Sequence, residues 1–122
     1  EGSNWEAAMA AAHRACNNLT AIVDRNKIQQ SGPVNEILDL GTLANKWRAF
    51  GWTVREIDGH DMCAIIDALD DLPYAYDKPS LLIAHTVKGK GTSFAEDTYL
   101  WHNNTVTDAI YQRALDELKE PE

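Results

Sequence analysis

The sequence predicts an α/β fold, in which helices cover both faces of a parallel β-sheet. Helix-like and strand-like segments alternate along the chain in the order α, β, α, β, α, β, followed by a long loop and a last helix. Such alternation is typical of parallel sheets, because each helix returns the chain to the start of the next strand. At 122 residues, the chain is long enough to bury a core as one domain.

The first elements follow from composition and turn residues. Residues 5–16 are alanine-rich and free of Gly and Pro, which predicts a helix, with Asn4 as its cap. Residues 19–23 form a short apolar run with β-branched side chains, which predicts a buried strand. A Ser-Gly-Pro turn at residues 31–33 separates that strand from an amphipathic helix over residues 42–50.

The middle of the chain continues the alternation. Residues 52–57 alternate apolar and polar side chains, which predicts a strand near the sheet edge. Asp61 is the expected cap of a helix over residues 62–72. Residues 80–87 are rich in Leu, Ile and Val, so they predict the central strand of the sheet.

The last part of the chain is a polar loop over residues 89–104 and a helix over residues 107–119. The apolar positions of this helix and of the preceding one recur at helical spacing, so they are expected to face the core. They are Ile65, Ile66, Leu69, Ile110, Leu115 and Leu118.

Composition and charge exclude several classes of function. The chain is 44% apolar and 25% charged, which is ordinary for soluble globular domains. Its 19 acidic and 11 basic residues give a net charge of −8, which argues against nucleic-acid binding and against docking on anionic membranes. No apolar run approaches the length of a membrane-spanning helix. Cys16 and Cys63 are isolated and are expected to be buried free thiols, which fits the reducing cytoplasm.

Polar residues follow two of the predicted strands, at the sheet edge where parallel sheets bind ligands. Asp24 and Asn26 offer the hard oxygen donors that Mg²⁺ and Ca²⁺ prefer. Lys88 is followed by glycines, which let backbone approach an anion while the lysine supplies charge. His102, in a polar loop, can act as an acid, a base or a charge stabiliser. The same residues also fit self-satisfied turns and solvated loops.

Five stretches in order resemble the transketolase family: EGSNWEAAMAAAH, NLTAIVDRNKIQQSG, FGWTVREIDGHD, KPSLLIAHTVKGKG and WH. Over residues 1–118 the chain resembles the second half of a thiamine-diphosphate-binding (PP) domain. It is most similar to the N-terminal subunit of split, two-gene transketolases. In that family a GDG segment, whose aspartate is the first metal ligand, precedes the position of Glu1. We therefore expect residues 1–122 to form part of one PP domain, incomplete on its own and lacking that segment.

The resemblance implies roles for the residues around the cofactor. The side chain of Asn26 and the backbone carbonyl of Ile28 would bind the metal, Mg²⁺ or Ca²⁺, that holds the diphosphate. Glu1 and Glu6 match acidic residues near the dimer interface that couple two active sites. The resemblance also implies that they belong to the cofactor-binding site.

Two further residues carry implied roles. Lys88 lies in the loop that covers the cofactor, where a basic residue could meet a diphosphate or an anionic substrate. His102 matches a histidine near the thiazolium and substrate, and it is the candidate catalytic residue. The family often has Gly after this histidine, whereas here Asn103 and Asn104 follow. This departure indicates an unusual sugar, such as a modified or sulfonated one.

The implied activity is transfer of a two-carbon ketol unit from a ketose, as a phosphate or an analogue, to an aldose. The family's cofactor-activating glutamate lies in a pyrimidine-binding domain, for which this sequence has no counterpart. Activity would therefore need the C-terminal transketolase subunit and the upstream GDG-bearing segment, in a dimer of heteromers. Because the first strands of such a domain would lie in the missing upstream segment, we expect Leu81, Ile83 and the first helix to leave apolar faces uncovered.

Three other interpretations stay open. A deoxyxylulose-phosphate-synthase-like subunit shares the KGKG loop and would use pyruvate as its donor. A non-catalytic α/β module would only bind a partner. A nicotinamide-binding fold would require a GxGxxG after a strand, and the sequence has none.

Overall fold

The structure is a computed structural model, which describes residues 1–119. It divides into two compact units. Unit 1 comprises Glu1–Arg25 and Gly41–Thr86, and unit 2 comprises Asn26–Leu40 and the chain from Val87 onward. The elements, in chain order, are α1 (Gly2–His13), β1 (Thr20–Arg25), β2 (Ile28–Gln29), β3 (Gly32–Pro33), α2 (Val34–Ile37), α3 (Leu43–Ala49), β4 (Thr53–Asp58), α4 (Met62–Asp70), β5 (Ser80–His85), the 3₁₀ helix η1 (Tyr99–Trp101) and α5 (Asp108–Leu118).

Unit 1 is built on a parallel three-stranded sheet in the order β1-β5-β4. Ser80 begins the central strand and lies opposite Thr20 on one side and Thr53 on the other. The parallel sheet, the central position of β5 and the edge position of β4 are confirmed. The carboxyl ends of the three strands therefore lie at one edge, which is where parallel sheets bind ligands.

Helices lie on both faces of this sheet. Ala21 and Val23 of β1 line an apolar cavity of about 360 Å³ together with residues of α1 and α3. On the opposite face, Arg55 of β4 binds Asp71, the residue that ends α4, at 2.8 Å. The indole Nε1 of Trp52 donates to the carbonyl of Ala8 at 2.9 Å, which ties α1 to the start of β4.

The centre of the core lies in β5, where Leu81 is 0% and Ile83 is 1% exposed. The expectation that these two side chains would be uncovered is wrong, because β5 has a strand on each side and helices on each face. The uncovered position is instead on the edge strand β1, whose Ile22 is 61% exposed. The expectation of a fully buried first strand is therefore wrong as well.

Replacing Leu81 with alanine is expected to lower the free energy of unfolding by about 3 kcal/mol, because a fully buried side chain leaves a cavity. Chemical denaturation of the purified chain measures this value. Replacing Leu38, which is 68% exposed, with alanine is the control and should change stability by less than about 0.5 kcal/mol. Equal losses for the two variants would contradict the assigned core.

The helix boundaries differ from prediction mainly at α1. It begins at Gly2 with Glu1 as its cap residue, so the cap expected at Asn4 is wrong. It ends at His13 rather than at residue 16. Two residues further on, Ala15 has a left-handed conformation with φ of 51°, which turns the chain out of the helix. The cap at Asp61 is confirmed, since its carboxylate accepts from the amides of Cys63 and Ala64 at 2.9 and 3.1 Å.

Two predictions about inward-facing side chains are wrong. On α4, Ile66 is 53% and Leu69 is 42% exposed, while the small Ala68 is the buried residue. On α5, Leu115 and Leu118 are 39% and 57% exposed. Their periodicity marks an apolar face, but the described part of the chain leaves much of that face exposed. Cys63 is exposed rather than buried because it lies in the first turn of α4, and both cysteines are free.

Unit 2 contains a short hairpin that was not predicted from the sequence. Strands β2 and β3 pair antiparallel, with Ile28 opposite Pro33, and α2 follows directly. The long loop predicted after β5 contains η1. Thr107 caps α5, accepting from the amide of Ile110 at 3.4 Å. Among residues 1–119, no helix is long and apolar enough to cross a membrane.

Candidate functional site

The turn after β1 is shaped by Asn26. Its side-chain Oδ1 accepts a hydrogen bond from the backbone amide of Ile28 at 3.0 Å. Lys27 between them has φ of 67°, a left-handed conformation that is uncommon for a residue other than glycine. Such conformations persist where the surrounding structure enforces them, often at functional sites. The turn fixes the orientation of the Asn26 amide group.

The hairpin also orients the backbone of Ile28. The amide of Val34 donates to the carbonyl of Lys27 at 2.9 Å, so those two residues form a hydrogen-bonded pair. Antiparallel pairs alternate between hydrogen-bonded and non-hydrogen-bonded, which makes the next pair, Ile28 and Pro33, non-hydrogen-bonded. The amide and carbonyl of Ile28 therefore point away from β3. The amide donates to the side chain of Asn26, and the carbonyl lies on the same side of β2, away from β3.

The side of β2 that faces away from β3 presents the carboxamide oxygen of Asn26 and the carbonyl oxygen of Ile28. Both are hard donors of the kind that Mg²⁺ and Ca²⁺ take. The Asn26 oxygen has a second lone pair beyond the one that accepts from Ile28. The two residues therefore fit a divalent metal. Among residues 1–119, no group of three or more His, Cys, Asp or Glu side chains could hold a metal ion.

Asp24 has a different environment in unit 1. Its carboxylate accepts a hydrogen bond from the hydroxyl of Thr86, the residue after β5. This contact joins the carboxyl ends of two neighbouring strands. The simpler interpretation, in which Asp24 satisfies a structural hydrogen bond, therefore describes this residue better than metal ligation does.

The glycine-rich loop, which we define as residues 88–97, is a compact turn closed by its own backbone. The amide of Asp97 donates to the carbonyl of Lys88 at 2.8 Å. Gly89 has φ of 69°, and a side chain there would collide with the carbonyl of Ala95. Gly91 has φ of 94°, and a Cβ would lie 2.9 Å from Leu118. Both positions therefore require glycine. Lys88 is half-buried in this loop.

Helix α5 contacts the glycine-rich loop through Glu117. Its carboxylate accepts hydrogen bonds from the backbone amide of Ser93 and, at 2.9 Å, from the hydroxyl of Ser93. It also accepts from Arg113 Nε at 2.8 Å. Sequence reasoning missed this contact because Ser93 and Glu117 are 24 residues apart. The local signal is the i,i+4 spacing of Arg113 and Glu117, which is common on solvated helices.

The Arg113 guanidinium, followed by the Ser93 amide, lowers the pKa of the Glu117 carboxyl. A lowered folded-state pKa means that these contacts contribute fully above the unfolded value of about 4.3 and are lost as pH falls through the lower, folded value. We expect the Ser93 amide proton shift, followed by NMR, to titrate with a midpoint below about 4.3. The variant E117Q should abolish that titration. A midpoint at or above the ordinary value would contradict the contact.

His102 follows η1 directly and is exposed. Its backbone amide donates to the carbonyl of Tyr99 at 3.0 Å, which sets the end of the 3₁₀ turn. Its neighbour Trp101 packs edge-on against Phe94 of the glycine-rich loop, with ring centroids 5.0 Å apart. Lys88 and His102 therefore belong to one connected segment of unit 2.

Glu1 and Glu6 lie in unit 1, at the start of α1. Glu1 is the cap residue, with its backbone carbonyl accepting from the amide of Asn4 at 3.2 Å, and both glutamates are exposed. Their carboxylates are accessible to a partner chain. Their roles in coupling active sites stay a prediction.

A polar cleft of about 250 Å³ at the carboxyl end of the sheet was not predicted. Arg25, Arg48, Glu56 and His85 line it, with Thr42 and Asn45. His85 is exposed, and its Nε2 is hydrogen-bonded to the carboxylate of Glu56 at 2.9 Å. No sequence signal pointed to the cleft, because these side chains come from four separate elements.

Comparisons with known proteins agree with the resemblance seen in the sequence motifs. The family model for the transketolase, thiamine diphosphate binding domain, matches residues 1–116. An apulose-4-phosphate transketolase subunit from Phocaeicola vulgatus is 43% identical over 120 residues, which cover 98% of this chain and 43% of that protein. The 6-deoxy-6-sulfo-D-fructose transketolase subunit SqwG from Clostridium sp. strain MSTE9 is 44% identical over 119 residues, with the same coverage. The chain thus spans less than half the length of these relatives.

Solved structures give the same answer for the fold. Transketolase from Campylobacter jejuni superposes with a TM-score of 0.87 at 28% identity, covering 96% of this chain and 18% of that one. The Pichia stipitis transketolase complex with sedoheptulose-7-phosphate gives 0.84 at 28% identity, covering 93% and 17%. With a matching family model over residues 1–116 and relatives above 40% identity, this chain belongs to the thiamine diphosphate-binding domain family of the transketolases.

Proposed function

We propose that this chain is part of the thiamine-diphosphate-binding subunit of a split transketolase and serves the transfer of a two-carbon ketol unit from a ketose to an aldose. The relatives named as transketolase subunits support a split enzyme. When bound, thiamine diphosphate supplies the electron sink that lets the carbon–carbon bond break. The chain's own contribution is to anchor the cofactor's diphosphate and to stabilise charge on the reacting sugar.

The anchor is the observation that carries this proposal. Asn26 Oδ1 and the carbonyl of Ile28 lie on the side of β2 that faces away from β3. Between them, the backbone of Lys27 has a left-handed conformation. Two hard oxygens fixed in this way suit Mg²⁺, which also takes oxygens from phosphates. The hydrogen bond from the Ile28 amide orients the Asn26 ligand, as partners around metal ligands commonly do.

His102 is proposed to face the substrate, where an exposed imidazole can donate a hydrogen bond to oxygen atoms that gain charge in the transition state. Lys88 is proposed to meet the diphosphate or an anionic substrate group. Glu1 and Glu6 are proposed to act at the interface with a partner subunit, close to the cofactor. These four roles are the ones that the family resemblance implies for these positions.

The proposed assembly supplies what these residues lack. A GDG-bearing segment would add the metal's aspartate ligand, and a C-terminal transketolase subunit would add the pyrimidine-binding domain and the glutamate that activates the cofactor. We propose a dimer of such heteromers in the cytoplasm, where the free thiols of Cys16 and Cys63 would stay reduced.

The donor is proposed to be a modified ketose rather than a common one. The relatives are named for apulose-4-phosphate and 6-deoxy-6-sulfo-D-fructose, which are both unusual sugars. Asn103 and Asn104 after His102 point the same way, since they change the loop beside the proposed substrate.

The test is a ketol-transfer assay on the chain assembled with the GDG-bearing segment and the pyrimidine-binding subunit, with thiamine diphosphate and Mg²⁺. Intact mass of the purified assembly verifies its components first. Transfer from either a ketose phosphate or a sulfonated ketose supports ketol transfer, and faster transfer from the modified ketose supports the proposed donor. Turnover with pyruvate and not with ketoses would favour a deoxyxylulose-phosphate-synthase-like enzyme. Failure of the verified assembly to bind thiamine diphosphate would favour a non-catalytic binding module.

A further inference from the structure

We infer that Arg113 and Glu117 of α5 are positioning residues, which hold the glycine-rich loop and His102 in the conformation that binds the cofactor. The inference rests on the proposed function, because it gives a role to the helix behind the loop that carries Lys88. It assigns no contact with substrate or cofactor to either residue. Both act through the loop.

Glu117 fixes the backbone of the loop at Ser93. One carboxylate oxygen accepts from the Ser93 amide, and the other accepts from the Ser93 hydroxyl at 2.9 Å. Two hydrogen bonds to one residue restrict both its position and its orientation. Charge-assisted bonds to a backbone amide are stronger than neutral ones. The loop is therefore attached to α5 near its middle, on the C-terminal side of Lys88.

Arg113 extends the same attachment toward His102. Its Nε binds Glu117 at 2.8 Å, and its NH2 group donates to the Ser93 hydroxyl at 2.9 Å. Its guanidinium also lies over the ring of Phe94, 4.8 Å from the centroid. The other side of this chain of contacts is Trp101, whose ring lies 5.0 Å from that of Phe94. His102 is the next residue.

The loop is braced at a second point. The carboxylate of Glu96 accepts from the amide of Gly91 at 3.1 Å and lies 3.5 Å from the ammonium of Lys90. Gly91 itself lies against Leu118 of α5, so closely that a Cβ would be 2.9 Å away. The turn between Lys88 and Ser93 is therefore closed internally and rests on the helix.

The packing of α5 argues for a positioning role rather than a core role. None of its residues, from Asp108 to Leu118, is buried. With no side chain fully buried, the helix contributes less hydrophobic stabilisation than a core helix would, since that contribution scales with the apolar area removed from water. Its polar contacts to the glycine-rich loop run through Arg113 and Glu117. Their loss should therefore loosen the loop more than it destabilises the fold.

The experiment compares E117Q with D116N in the full assembly defined above. Asp116 is the matched control, because it is on the same helix and pairs locally, with Lys119 at 2.7 Å. Thiamine diphosphate affinity is measured by calorimetry at saturating Mg²⁺, and amide hydrogen exchange is measured over residues 88–97. We expect E117Q to weaken the affinity about tenfold, as typical for partners that orient a metal or cofactor site, and to speed exchange at Gly91 and Ser93. D116N should change neither.

The exchanged pair R113E/E117R separates positioning from simple helix pairing. It keeps opposite charges at i,i+4 but removes the carboxylate from Ser93, so it should behave like E117Q. Wild-type affinity in either variant overturns the inference. A variant with weakened affinity and a lowered melting temperature, but without faster amide exchange in residues 88–97, overturns it as well. If the wild-type assembly itself binds no thiamine diphosphate, the proposed function fails and this inference fails with it. Binding by wild type that E117Q leaves unchanged overturns the inference alone.

Discussion

Replacing Asn26 with alanine is expected to weaken the Mg²⁺-dependent binding of thiamine diphosphate by about 100-fold or more. The substitution removes a proposed metal ligand and also the acceptor that holds the Ile28 amide at 3.0 Å. The turn leading into Ile28 would then lose a hydrogen bond, while the hairpin pairing that directs the Ile28 carbonyl would remain. Calorimetric titration of the assembly with thiamine diphosphate, at several Mg²⁺ concentrations, measures the loss.

The control for this prediction is Asn35→Ala. Asn35 is an exposed asparagine of α2 in the same unit, outside the turn between β1 and β2. It should leave the affinity unchanged. Equal affinities for the wild type and N26A would contradict the proposed metal anchor. A loss in N26A that excess Mg²⁺ does not reduce would mean that the turn matters for shape rather than for the metal.

Replacing His102 with alanine is expected to lower kcat by about 100-fold while leaving thiamine diphosphate affinity close to that of the wild type. The physical reason is that the imidazole is exposed at the end of η1 and is proposed to donate to oxygen atoms that gain charge only in the transition state. An interaction of that kind changes kcat more than the binding of the ground state. Steady-state kinetics of ketol transfer measures both quantities.

A conservative variant makes this test sharper. Glutamine at position 102 keeps an N–H donor, so H102Q should recover part of the lost rate. Asp116→Asn, on α5 outside this loop, is the control and should alter kcat by much less. Full activity in H102A would exclude a catalytic role for this histidine.

The sheet of unit 1 was predicted well from the sequence, because its strands are long enough to show their pattern. Residues 81–84 form an apolar run, as expected for a central strand, and this strand lies between β1 and β4. Asp61 was recognisable as a cap because its side chain acts on amides two and three residues away. Local chemistry of this kind is visible in a single sequence.

Other features could not be predicted for definite physical reasons. Strands β2 and β3 are two residues each, which is too short for an alternation of side chains to appear. Ile66 and Leu69 have the right spacing for a core face, but periodicity does not reveal whether another element covers that face. The contact of Glu117 with Ser93 spans 24 residues and depends on how the loop returns to α5.

The candidate site was predictable in part. The DRNKI motif pointed to Asn26 and Ile28 through its resemblance to a family, whereas composition and spacing alone left a simple turn as an alternative. The direction of the Ile28 carbonyl became apparent only with the hairpin register, through the opposing Pro33. Charged residues that converge from separate strands, such as Arg25 and Glu56, had no sequence signature at all.

The edge position of β1 has a consequence for any measurement of thermal stability. In the described part of the chain, β5 is the only strand paired with β1, so the outer row of backbone donors and acceptors on β1 is available to another strand. A chain that pairs there would bind the folded state and not the unfolded one, which raises the melting temperature by mass action. Melting temperatures of this chain are then comparable only at matched concentrations of every component present.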